Sequence, residues 1–266
     1  MAIGESPILI ENEGAVRVLT LNRPDVLNSF NLALLSELGK ALRDAEREAA
    51  VRCIVITGAG RGFSAGQDLA DVAERYKSTE PIELGAHLRK NYHATMVKIR
   101  TMEKPVIAAV NGVAAGAGCS LALACDLRVA GESASFIEAF VNVGLVPDSG
   151  STFMLPRLIG VSRALEMAIT GRKVKSDEAL RIGLVNQVVS DAELMNETMK
   201  LANKLAELPP RAIGLTKRAM NAAWSNDLET QLEYEAQLQT TAGQTKDHRE
   251  GVTAFLEKRP PKFTGS

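Results

Sequence analysis

Cysteine, tryptophan and aromatic residues in general are scarce in this chain of 266 residues, which holds three cysteines, one tryptophan and 4% aromatics against 45% hydrophobic residues overall. An odd number of thiols cannot pair completely, and Cys53, Cys119 and Cys125 all lie in apolar stretches. That pattern argues against a disulfide framework and fits buried thiols in a reducing compartment. His87, His93 and His248 add no metal-ligand spacing to them, so no metal is expected. An excess of charge is missing too. With 31 Lys and Arg against 32 Asp and Glu, the chain has no global field for nucleic acid or anionic lipid, and any anionic ligand must be met by local groups. No apolar run reaches membrane length, and Met1 to Glu11 show no cationic segment followed by an apolar one. The expectation is a soluble cytoplasmic protein with a large core, binding neither membrane nor nucleic acid.

What is present is organised around Pro105 to Asp126, which changes character twice. Pro105 to Val110 is an apolar, partly β-branched run, Asn111 to Gly118 is a stretch of small residues, and Cys119 to Ala124 continues at helical length. The order reads as buried strand, tight turn, buried helix. Gly116, Ala117 and Gly118 would let a ligand approach the backbone and meet the free N–H groups of a helix start, donors suited to a carbonyl oxygen gaining negative charge. Close packing of a helix on a sheet is the plainer explanation of the same residues.

Along the chain, Ile8 to Ile10 and Val16 to Leu21 form a hairpin about Asn12-Glu13-Gly14, and Asn31 to Arg47 form an amphipathic helix through Leu32, Leu34, Leu35, Leu38 and Leu42. Cys53 to Thr57 is a buried strand running into the loop Gly58 to Leu69. Tyr76 to Leu84 has no periodicity and reads as a loop over a site, and His87 to Met102 returns to helix. Leu127 to Ala130 is a strand, Gly144 to Ser151 a turn, and Ala164 to Thr170 a helix. From Asp177 to Lys258 the patterns are helical, broken at Pro209-Pro210. Strands therefore alternate with helices early and vanish late: an α/β core over residues 1–200 and a helical region over 201–266.

Three readings compete for the glycine-rich loop. A dinucleotide fingerprint beginning at Gly58-Ala59-Gly60 would place its third glycine at Phe63, whose bulk blocks phosphate approach. A nucleophile elbow, Gly62-Phe63-Ser64-Ala65-Gly66, has His248 in the correct chain order, but Gly58 to Phe63 separate Ser64 from the strand it should turn off. The third reading pairs this loop with Asn111 to Gly118, so that N–H groups from both converge on one oxygen.

At this point the chain resembles a family. Leu21-Asn22-Arg23-Pro24, Phe63-Ser64-Ala65-Gly66-Gln67-Asp68-Leu69, Val110 to Gly118, Cys125-Asp126-Leu127 and Gly144-Leu145-Val146-Pro147 are similar to the successive motifs of the crotonase, or enoyl-CoA hydratase/isomerase, superfamily, in order and through essentially the whole chain. The resemblance implies an α/β fold of repeated ββα turns, a ββα superhelix with a C-terminal helical trimerisation region, and assembly as a homotrimer or hexamer. It also implies an acyl-CoA thioester whose carbonyl lies between the backbone N–H groups at Gln67 and Ala117. Coenzyme A, part of the substrate and not a separate cofactor, would lie near Arg23, Val26, Ser64, Ala65, Asp68 and Leu69, with Arg61 a further cation beside the loop.

Acids and bases then decide the reaction. The two glutamates that activate water in the family's hydratases fall, by alignment of the flanking motifs, at Ser120 and Phe140, and neither is a base. Asp148 occupies the place where the family's isomerases and coenzyme A-linked dehalogenases carry an acid. Its plainer role is to cap the helix after Pro147. The isomerase branch that rearranges a ring epoxide of phenylacetyl-CoA to an oxepin, and also shifts a Δ3 double bond to Δ2, resembles this chain at Gly58 to Phe63, at Leu145 to Gly150 and over Asp247 to Phe263. An isomerase with Asp148 as single proton relay, and Phe136 and Phe140 as an apolar wall, is the expectation. A hydratase or other acyl-CoA lyase is the alternative, and an RNA-binding or scaffolding member of the superfamily is the non-enzymatic one.

Overall fold

The computed structural model describes residues 6–70, 73 and 83–266. Alternation of side chains along the strands explains the architecture. In β2 (Val16–Leu21), β3 (Cys53–Gly58) and β5 (Val106–Val110), one set of apolar residues, Leu19, Leu21, Ile54, Ile56, Ala108 and Val110, faces the main core, while Val16, Val18, Cys53, Val55, Ile107 and Ala109 face a second one. A sheet apolar on both faces must be covered on both. It is: α1 (Leu32–Arg47) packs into the main core through Leu34, Leu35, Leu38 and Leu42, and a helix over Leu194–Glu207 closes the other face with Leu194, Met199, Ala202 and Ala206.

The first sheet has six strands in the order β1-β2-β3-β5-β7-β10, adding β1 (Ile8–Glu13), β7 (Leu127–Gly131) and β10 (Gln187–Val189). Only the β1–β2 hairpin is antiparallel. A second sheet of four three-residue strands stacks β4 (Gly62–Ser64), β6 (Val113–Ala115), β8 (Ser135–Ile137) and β9 (Lys173–Lys175) in that order. From β3 to β8, strands of the two sheets alternate along the chain.

Several expectations need correction. A strand, β10, lies inside the stretch expected to be helical, because Val188 and Val189 find an open sheet edge beside Ala130 and Gly131. The helix expected from His87 to Met102 is two, α2 (Leu84–Asn91) and α3 (His93–Thr101), with Tyr92 at the break. Leu84 opens α2 instead of ending a loop, and the rest of the loop expected over Tyr76 to Leu84, apart from Glu83, lies outside the described residues. The helix over Leu194–Glu207 packs on the sheet through Leu194, Met199, Ala202 and Ala206.

Candidate active site

Two loops meet where the short sheet begins. Gly66 has φ +85, and a Cβ there would sit 2.6 Å from the carbonyl oxygen of Ala115 and 3.0 Å from the amide nitrogen of Ala117. A Cβ on Gly118 would fall 2.4 Å from the carbonyl oxygen of Ser64. Both positions therefore require glycine, and what they achieve is contact between the end of β4 with the loop after it and the turn that opens α4 (Ala117–Ala124). Asn28 and Asn111 lock the approach. Asn28, fully buried at φ +55, donates from Nδ2 to the carbonyls of Ala59 and Gly62, and Asn111 donates to those of Gly58 and Gly60. Asparagine tolerates the left-handed region, which is why it serves at residue 28.

At this junction the amides of Gln67 and Ala117 are free of backbone carbonyls among the described residues. The peptides flanking Gln67 are engaged instead, since Phe30 N–H donates to the Gly66 carbonyl at 2.6 Å and Asp68 N–H to the Phe30 carbonyl at 3.0 Å. Ala117 opens α4 behind Gly116, which offers no side-chain cap, so its N–H adds a helix-start dipole. Two unspent donors on touching loops suit an oxygen that gains charge.

Asp148 stands beside the same helix start. Ser120 Oγ, one turn into α4, donates to the Asp148 carbonyl at 3.1 Å and to that of Gly116 at 3.3 Å. The Asp148 carboxylate accepts from Ser149 Oγ at 2.9 Å, and Ser149 takes φ +53 to turn the chain there. Its side chain caps no helix: α5 (Ser151–Ile159) starts behind Gly150 without a side-chain cap, and Ser151 N–H goes to the Asp148 carbonyl oxygen instead. Burial pushes the Asp148 carboxyl up, against the pull of the Ser149 hydroxyl and the charge of His93 on α3. Phe140, 7% exposed, brings its ring within 3.9 Å of where a Cβ on Gly116 would be. Thus the two positions where a hydratase would carry glutamates hold a hydroxyl that fixes the Asp148 turn and an apolar ring.

The remaining expected residues divide. Arg23 and Asp68 come together at 2.9 Å, and although burial works against the Asp68 charge, the Arg23 hydrogen bond and the Ala70 amide hold its carboxyl below the usual range. Val26 and Leu69 are exposed and Ala65 half-buried around them. Phe136 has its side chain fully buried in the main core, whereas the Phe140 ring stands beside Gly116. The buried Oγ of Ser64 donates to the Asn28 carbonyl and accepts from Gly66 N–H, so the side chain is spent inside the protein. That also removes the hydrolase alternative, with Ser64 inside β4 and His248 exposed on the C-terminal helix. Sequence reasoning missed the parts played by Asn28 and Tyr92, whose partners Gly62 and Gln67 lie far along the chain.

Comparison with known proteins agrees with this geometry. The enoyl-CoA hydratase/isomerase family model matches residues 11–266. A 1,2-epoxyphenylacetyl-CoA isomerase of Escherichia coli (strain K12) is 46% identical over 259 residues, covering 97% of this chain and 98% of its own length. A short-chain-enoyl-CoA hydratase of Clostridium acetobutylicum is 39% identical over 253 residues, 95% of each chain. Among solved structures, an enoyl-CoA hydratase from Bacillus anthracis superposes with a TM-score of 0.91 at 39% identity, covering 98% of this chain and 100% of the other.

Proposed function

Because this chain belongs to the enoyl-CoA hydratase/isomerase (crotonase) family and so acts on coenzyme A thioesters, we propose that it is an isomerase which converts ring-1,2-epoxyphenylacetyl-CoA to its oxepin and shifts Δ3-enoyl-CoA to Δ2. The observation that carries the reading is the Asp148 turn held by Ser120 Oγ beside the helix start, with the Phe140 ring near Gly116, at the two positions where the family resemblance expects a hydratase's glutamates. The thioester oxygen accepts from the amides of Gln67 and Ala117, each contributing about 3 kcal/mol to an enolate-like state. Asp148 takes a proton from C2 and returns it further along the acyl chain on the same face. Its raised basicity and the Phe140 ring favour that relay and keep water from adding. No resident cofactor or metal is required. Arg23 and Asp68, already paired, border the side where the coenzyme A moiety lies. The working unit is a homotrimer or dimer of trimers.

Asp148→Asn tests the assignment. The change keeps size and turn geometry but removes the base, so turnover of a Δ3-enoyl-CoA is expected to fall by about 10² to 10⁴ while thioester affinity persists. Wild-type turnover in the Asn variant would remove Asp148 from the mechanism. Formation of a 3-hydroxyacyl-CoA by the unaltered protein, with no Δ3 to Δ2 shift, would establish the hydratase reading supported by the names of several relatives.

A further inference from the structure

The side chain of Gln67 is bonded at both ends of its amide group. Its Nε2 donates to the Phe30 carbonyl at 3.1 Å and its Oε1 accepts from the Tyr92 hydroxyl at 2.5 Å. Tyr92, 1% exposed, sits at the break between α2 and α3 with its ring edge-on to His87 at 5.8 Å and tilted against Phe30 at 6.1 Å. Gln67 itself belongs to no strand and is held in the backbone only by a single bridge to Phe30. The residue that presents a free amide is therefore fixed by two anchors, Phe30 through the main chain and Tyr92 through the side chain. Phenylalanine would fill the same space in the core. The hydroxyl is needed only for what it touches, and a buried hydroxyl must be bonded.

We infer that Tyr92 is a positioning residue of the oxyanion site: its hydroxyl, by holding Gln67 Oε1, sets the direction of the Gln67 N–H toward the thioester oxygen. Tyr92 touches no reacting atom. The inference rests on the oxyanion role given above to Gln67 and Ala117. A small rotation of the Gln67 peptide is enough to spoil such a donor, because hydrogen bonds weaken steeply off line and geometry at the reacting centre is worth orders of magnitude in rate.

Tyr92→Phe is the test, read by kinetics and by vibrational spectroscopy of butyryl-CoA labelled with ¹³C at the carbonyl, a saturated thioester that does not isomerise. In the unaltered protein the bound carbonyl stretch is expected at lower frequency than in solution. In Tyr92→Phe that displacement is expected to shrink and kcat for a Δ3-enoyl-CoA to fall about tenfold at nearly constant KM. Gln67→Met, which keeps the amide and removes the side-chain anchor, should reproduce both effects, and the double variant should add nothing to either single one. It also carries the test if Tyr92→Phe fails to fold. A full carbonyl displacement with unchanged kcat in both single variants overturns the role of Tyr92 and leaves the oxyanion reading standing. No displacement in the unaltered protein overturns both.

Discussion

At the scale of single residues, Glu138 carries a carboxyl whose burial works against its charge. Its carboxyl is fully buried, one oxygen accepts from Ser151 Oγ at 2.8 Å, and the other has only the weak thiol donor of Cys119 beside it. Burial pushes its pKa up, and the negative charge of nearby Asp148 pushes the same way. A carboxyl whose folded pKa exceeds its unfolded value supports the fold fully below the unfolded value, and that support is lost as pH rises through the folded one. Glu138→Gln keeps an acceptor for Ser151 and removes the charge. Melting temperature is therefore expected to rise above wild type near about pH 8 and to match it near about pH 5, with the pH slope flattened. A Gln variant less stable than wild type at about pH 8 would contradict this. The loops that carry Asp148, Gln67 and Ala117 were legible because each contains a local motif. The part played by Tyr92 was not, since a bond between Tyr92 and Gln67 across 25 positions leaves no periodic or spacing signal.

At the scale of elements, one lysine ties the C-terminal helices to the sheet. The helix over Pro210–Ala222 sends Lys217 inward, where Nζ donates to Asp126 Oδ2 at 2.7 Å and to the carbonyls of Ile99 at 2.7 Å and Lys104 at 3.2 Å. Burial pushes Lys217 down, and the Asp126 carboxylate opposes that. Asp126 in turn accepts from Val106 N–H, so the pair links the helix to the strand that leads into Asn111 and the site. Breaking a buried pair costs more than the pair contributes, because the survivor keeps its desolvation penalty. Lys217→Met should lower unfolding stability by about 3 to 5 kcal/mol in chemical denaturation, and Asp126→Asn added to it should recover part of the loss. A Met variant as stable as wild type would show that the Lys217–Asp126 pair does not hold the helix. Long elements such as α1 followed their apolar spacing in the sequence. The second sheet did not, as its strands are three residues each, too short for alternation to be distinguished from a loop.

At the scale of the molecule, the C-terminal helices display apolar side chains that the chain itself leaves uncovered. On the helix over Leu228–Gly243, Leu238 is 8% exposed and spent within the chain, whereas Leu228 and Leu232 are 75% and 56% exposed. The last helix, over Lys246–Glu257, adds Phe255 at 82%, Leu256 at 73% and Val252 at 48%. Scattered apolar residues are ordinary on a surface, but this many on two successive helices is not. Covering each large side chain is worth about 1.5 to 3 kcal/mol, so a few per interface offset the entropy of association. The proposed trimer therefore predicts a particle of three times 28.5 kDa, or six for a dimer of trimers, in light scattering at micromolar concentration. Phe255→Asp with Leu256→Asp should shift the population toward single chains without unfolding them, since neither side chain is in either core. A single-chain mass for the unaltered protein would show that these residues stay in water, and the apolar helices would then need a different partner to explain them.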